Sequence, residues 1–200
     1  MKTLFKSVAI AFFGVTAFSF TTTDDKDPKI VIVDIVDHIE TTNNQNITEN
    51  FRQQLATLNQ TDDVKVLEWK QISTGLDETK QKELLDSIQP EVVLTVSFKN
   101  SEANANEVTA VVSKNNQHFD YSIETAKNLT TSFDASVVKN GGVFQAESSY
   151  VQDNFTPAMF VSIETKNDQP SNNAIVNTLT QFIKTVESPA EEQNNEVTVQ

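Results

Sequence analysis

The chain predicts a single layered α/β domain, a mostly parallel or mixed sheet of about six strands flanked by helices. Three observations carry this. Lys29-Ile-Val-Ile-Val-Asp34, Pro90-Glu-Val-Val-Leu-Thr-Val-Ser-Phe98 and Pro157-Ala-Met-Phe-Val-Ser-Ile-Glu164 are near-continuous apolar runs, as strands covered on both faces require. Segments with apolar residues at helical spacing alternate with strand-like runs. No cysteine is present, so an apolar core and not a disulfide framework must hold the fold.

The elements follow in order. Met1 to Lys6 is a basic lead, and Ser7 to Phe20 is uncharged and largely apolar but short for a membrane span. With small residues at Ala17 and Ser19, residues 1–20 read as a signal peptide, and 21–28 as a polar lead-in. The alternative is a retained anchor. Cleavage would leave no stable membrane span, and the expected location is exported, periplasmic or extracellular. The folded domain spans 29–187. Its first strand runs from Lys29 to Asp37, and Ile47, Phe51, Leu55 and Leu58 mark a helix to about Gln60. Val64 to Trp69 is a strand, and Leu84, Leu85 and Ile88 mark a second helix that Pro90 ends.

Glu91 to Phe98 returns to a buried strand. Glu107 to Ser113 is another, expected at an edge because its surroundings are polar. Ile123, Ala126, Leu129 and Phe133 lie on one face of a helix over Tyr121 to Phe133. Asn140-Gly-Gly142 signals a turn before a short strand, Val143 to Ala146. After the last buried strand, Ile175, Leu179, Phe182, Ile183 and Val186 make a closing helix. Residues 188–200, with three glutamates and no basic residue, read as a disordered acidic tail.

Composition excludes several functions. A formal charge of −13 without a basic stripe argues against nucleic acid and against docking on anionic lipid. Only four glycines are present, and no Walker loop, dinucleotide signature or Gly-x-Ser-x-Gly elbow occurs. Open α/β sheets place their sites at the carboxyl ends of strands. The polar residues offered there are Asp34, Asp37, His38, Ser97, Ser162 and Glu164.

In their order and spacing, Lys29-Ile-Val-Ile-Val-Asp-Ile-Val-Asp-His38, Glu91-Val-Val-Leu-Thr-Val-Ser-Phe-Lys-Asn100 and Pro157-Ala-Met-Phe-Val-Ser-Ile-Glu164 resemble a known family. It is the zinc-dependent N-acetylmuramoyl-L-alanine amidases of the cell-wall hydrolase type. The likeness covers residues 29–187 and implies an amidase-like fold. Position by position, it implies that the first family His falls on Asp37, with His38 next to it. The metal-binding Glu falls near Asn44, the second His on Ser97 and the catalytic Glu on Ser162.

A hydrolytic zinc needs about three nitrogen or carboxylate ligands and one open position to acidify its water. A carboxylate must then move protons. Serine supplies neither function, so the resemblance implies a degenerate member whose family zinc is lost, with no cofactor expected. Asp37, His38, Asn44, Ser97, Ser162 and Glu164 then outline a vestigial cleft, with Glu164 on the same side of its strand as Ser162. The leading expectation is a catalytically inactive, binding or scaffolding protein whose partners are peptidoglycan fragments or an envelope protein. The alternatives are an active amidase with displaced ligands, using Asp37, His38 and Glu164, and an interaction protein using its acidic surface and tail. Trp69, Tyr121, Tyr150 and Phe155 are candidates for a glycan-binding surface.

Overall fold

The apolar runs pair side by side. A computed structural model describes residues 28–36, 45–61, 63–147 and 156–187, with only the backbone at positions 45 and 46. Strands β1 (Lys29–Ile35), β2 (Val64–Glu68), β3 (Val92–Asn100), β4 (Glu107–Ser113), β5 (Lys139–Ala146) and β6 (Ala158–Thr165) form one sheet in the order β2-β1-β3-β6-β4-β5. Strands β2, β1, β3 and β6 run parallel. β4 lies antiparallel to β6 and carries β5 parallel to itself. The helices are α1 (Gln45–Leu58), α2 (Trp69–Ser73), α3 (Glu78–Ile88), α4 (Phe119–Ser132) and α5 (Gln169–Thr185). This is the single α/β domain that the sequence predicts.

Side chains alternate along each strand and paired residues share a face, so the register divides the sheet in two. One face carries Val31, Val33, Leu94, Val96, Ala110, Val161 and Ile163, none of them exposed. They form one cluster with Phe51 and Leu55 of α1, Leu129 of α4 and Ile175, Leu179 and Ile183 of α5. The Phe51 and Phe98 rings meet edge-on, with centroids 5.9 Å apart.

The opposite face is thinner. The crossovers β1-α1-β2 and β2-α3-β3 proceed in opposite directions across the sheet, so their right-handedness sets α1 and α3 on opposite faces. α3 is bounded as its ends require. Asp77 accepts a bond from the Lys80 N–H at 3.0 Å, and Gln89 turns left-handed at φ 50° before Pro90. Among the described residues no helix covers this face over β6, β4 and β5.

Three sequence expectations are corrected. β4 is not an edge strand but lies between β6 and β5. Its polarity reflects one helix-covered face (Val108, Ala110, Val112) and one half-buried face (Thr109, Val111). Asn140-Gly-Gly142 is no turn between elements, because β5 runs through it with a register shift opposite Val108 and Thr109. A Cβ on Gly141 would lie 2.5 Å from both Glu107 Oε1 and Thr109 Cγ2, and Gly142 has φ 101°, so glycine serves a bulge and a close strand approach. Trp69 opens the short α2 and does not end β2. The readings of residues 1–27 and 188–200 lie outside the described residues.

Phe51→Ala removes a fully buried ring from the centre of the main core. The expected loss is about 3–5 kcal/mol of unfolding free energy, measured by urea titration.

Candidate functional site

The carboxyl edge of the thinner face is layered by the strand register. Ser97 pairs with Ser162, and Ser162 with Thr109, giving a row of hydroxyls across β3, β6 and β4. One pleat outward, Lys99, Glu164, Glu107 and Lys139 form a charged row. In it Lys139 Nζ donates to Glu107 Oε2 at 2.7 Å. One pleat inward lie Asp34, Thr95, Phe160, Val111 and Phe144.

Of the site residues read from the sequence, the structure therefore brings Ser97, Ser162 and Glu164 together. Glu164 shares the face of Ser162, as expected, and is exposed. Asp37, His38 and Asn44 lie outside the described residues. Ser97 is fully buried, and among the described residues its hydroxyl has no hydrogen-bond partner. Such an orphan is costly inside a protein. Ser162 is 8 % exposed. Neither is a nitrogen, thiolate or carboxylate donor of the kind zinc takes. These two positions do not fit a hydrolytic zinc, and among the described residues no group of three His, Asp or Glu side chains is arranged to hold a metal ion.

Asp34 stands beside Thr95 on this face. Burial pushes its carboxyl above the usual range, and the Lys70 ammonium partly opposes that. His118 falls at the other end of the sheet. β4 runs against β3 and β6, so the segment after Ser113 returns to their amino ends, where Asn116 Nδ2 donates to the Thr156 carbonyl at 2.9 Å. The aromatic candidates also divide. Trp69 follows the carboxyl end of β2, whereas Tyr121 lies near Glu91 at the amino end of β3, where burial and nearby carboxylates raise its phenol pKa. Tyr150 and Phe155 lie outside the described residues.

Sequence reasoning passed over the residues that hold this edge. Asn106, 4 % exposed, donates through Nδ2 to the Val137 carbonyl at 2.9 Å. Its Oδ1 accepts from the Lys166 N–H at 3.0 Å, and its carbonyl accepts from the Lys139 N–H at 2.9 Å. It thus ties together the starts of β4 and β5 and the end of β6. Beside it, Thr165 Oγ1 donates to Asn172 Oδ1 and Asn172 Nδ2 donates to Asn167 Oδ1, both at 2.9 Å. Asp168 caps α5 by accepting from the Ser171 N–H at 3.0 Å. The one available signal was the Asn-Asp-x-Pro-Ser cap pattern at 167–171.

No family model matches the chain, and no curated protein does. Solved structures do. An N-acetylmuramoyl-L-alanine amidase from Clostridium difficile 630 superposes with a TM-score of 0.57 at 11 % identity, covering 79 % of this chain and 96 % of that one. The catalytic domain of CwlV, an N-acetylmuramoyl-L-alanine amidase from Bacillus (Paenibacillus) polymyxa var. colistinus, gives 0.56 at 12 %, with 78 % and 96 % covered. The CwlD amidase from Clostridioides difficile, solved in complex with the GerS lipoprotein, gives 0.54 at 14 %, again with 78 % and 96 % covered. At these identities the likeness shows a shared fold, that of amidase catalytic domains.

Two variants test the site's energetics. Ser97→Ala deletes a buried hydroxyl that has no partner among the described residues, so urea unfolding is expected to show no loss and a gain of up to about 1 kcal/mol. Asp34 has a raised pKa, so the fold favours its protonated form. That contribution is complete below the ordinary carboxylate range and is lost as pH rises through the raised value. Asp34→Asn is therefore expected to raise the melting temperature at pH 7, with the gain vanishing in acid, as a series of melts against pH would show.

Proposed function

We propose that this is an exported, catalytically silent relative of the N-acetylmuramoyl-L-alanine amidases, in which the carboxyl-edge cleft binds or scaffolds instead of cutting. The observation that supports it is the pairing of Ser97 with Ser162. Where the family resemblance implies a metal-binding His and a catalytic Glu, two neutral hydroxyls stand side by side on an otherwise conventional frame. Without a ligand nitrogen or a carboxylate there, water is not acidified and no group takes or returns its proton. The family zinc is accordingly not expected to bind.

The ligands that suit the cleft are peptidoglycan fragments. The half-buried Thr109, the exposed Glu164 and the Lys139–Glu107 pair along one ledge match the hydroxyls, amides and carboxylates of a muramyl peptide. An envelope protein is the other partner class, supported by the lipoprotein complex of the neighbouring CwlD. Among the described residues no helix is long and apolar enough to cross a membrane, and an apolar leader at 1–20 would supply export.

Zinc analysis after equilibration with zinc and gel filtration, run beside a hydrolysis assay on muramyl peptide, tests this reading. Substoichiometric metal and no release of L-Ala peptide are expected, while calorimetry detects binding of the intact fragment or of an envelope protein. One tightly held zinc per chain with chelator-sensitive release would overturn it in favour of displaced ligands at Asp37, His38 and Glu164.

A further inference from the structure

Two asparagines bond the main chain at opposite margins of the sheet, and they are held differently. Asn59 faces β2, where its Nδ2 donates to the Val66 carbonyl at 2.9 Å and its Oδ1 accepts from the Val66 N–H at 2.7 Å. Both ends of that amide are occupied, as they are in Asn106. Asn140, exposed on β5, is held by its oxygen. Its Oδ1 accepts from the Gly142 N–H at 2.8 Å, and among the described residues its Nδ2 has no acceptor. It is also the one asparagine in the chain that a glycine follows.

We propose that Asn140 is a site of spontaneous modification, at which the Gly141 nitrogen closes on the Asn140 side chain, ammonia leaves and aspartate or isoaspartate results. The bond from Gly142 closes a ring that contains both Asn140 Cγ and the Gly141 nitrogen, so electrophile and nucleophile are folded toward each other. The same N–H points at the oxygen on which negative charge develops, as an oxyanion donor does. Gly141 carries no side chain to crowd the attack. The fold requires that glycine for a separate reason, since a Cβ there would strike Glu107 and Thr109. Packing thus retains the residue that makes Asn140 reactive. The register shift between Val108 and Thr109 also interrupts regular pairing with β4 at this point.

Water, as base and reactant, balances the steps. It removes the Gly141 N–H proton, and the nitrogen bonds to Cγ. The Cγ–Nδ2 bond then breaks as Nδ2 takes a proton and leaves as ammonia, giving a cyclic imide. Water adds to either imide carbonyl. Opening at Cγ gives aspartate, whose carboxylate still accepts from the Gly142 N–H. Opening at the main-chain carbonyl gives isoaspartate, in which the backbone runs through Cβ and Cγ and is one carbon longer. No electron is transferred. Either product sets a carboxylate next to Lys139, whose N–H bond to the Asn106 carbonyl and ion pair with Glu107 begin β5.

Peptide mapping of the full chain after days of warm incubation in mildly alkaline buffer tests this. The peptide that holds Asn140 is expected to become about 1 Da heavier and to contain isoaspartate, while those with Asn59 and Asn106 stay unchanged. Mild acid is expected to slow the change, because less of the Gly141 nitrogen loses its proton. Asn140→Gln, which must close a larger ring, is expected to show no change over the same period. In urea the Gly142 bond is lost. One such bond is worth about tenfold in rate, so the folded chain is expected to convert within about tenfold of the urea rate. A folded chain that keeps Asn140 intact while the urea-treated chain converts fully would overturn the proposal. So would equal conversion at Asn59 or Asn106, or a rate indifferent to pH.

Discussion

Everything at the carboxyl edge depends on the parallel pairing of β3 with β6. Their register runs from Val93 opposite Ala158 to Asn100 opposite Thr165, and it brings together residues some 65 positions apart. On the helix-covered side this pairing sets Leu94, Val96, Val161 and Ile163 into the centre of the core. A slip by one residue would turn those side chains to the other face and bring Ser97 and Ser162 into the core. The burial of the apolar set and the position of the polar ledge are therefore the same constraint seen from two sides. The apolar half of each strand thus fixes where the polar half stands.

Much of the fold was legible because apolar continuity survives as a local signal. Ile30 to Val33, Val92 to Val96 and Ala158 to Val161 announce buried strands whatever lies beside them. Strand direction is not local. Nothing in Glu107 to Ser113 tells whether the chain re-enters the sheet parallel or antiparallel, so its polar surroundings passed for those of an edge. Gly141 and Gly142 misled for the same reason, since their role is set by Glu107 and Thr109 on another strand and not by their neighbours in sequence.

The site divides along the same line. Ser97, Ser162 and Glu164 were found because they end recognisable strands. Asn106 was not, because it acts on Val137 and Lys166, 31 and 60 residues away, and a lone asparagine in a polar loop carries no periodicity. Buried amides of this kind specify a connection by refusing every arrangement that leaves them unpaired. Here they fasten β4, β5 and β6 at the end of the sheet where the hydroxyl ledge begins. The ledge is thus held by amides and apolar packing.

Asn59 has a consequence beyond the strand it caps. A sheet with two receptive margins adds subunits without limit and grows into a fibre, as heterologous or edge-to-edge contacts do. By filling the hydrogen-bonding positions of Val66, a single amide withdraws the middle of the β2 margin from such pairing. This side chain guards the short margin against edge-to-edge growth.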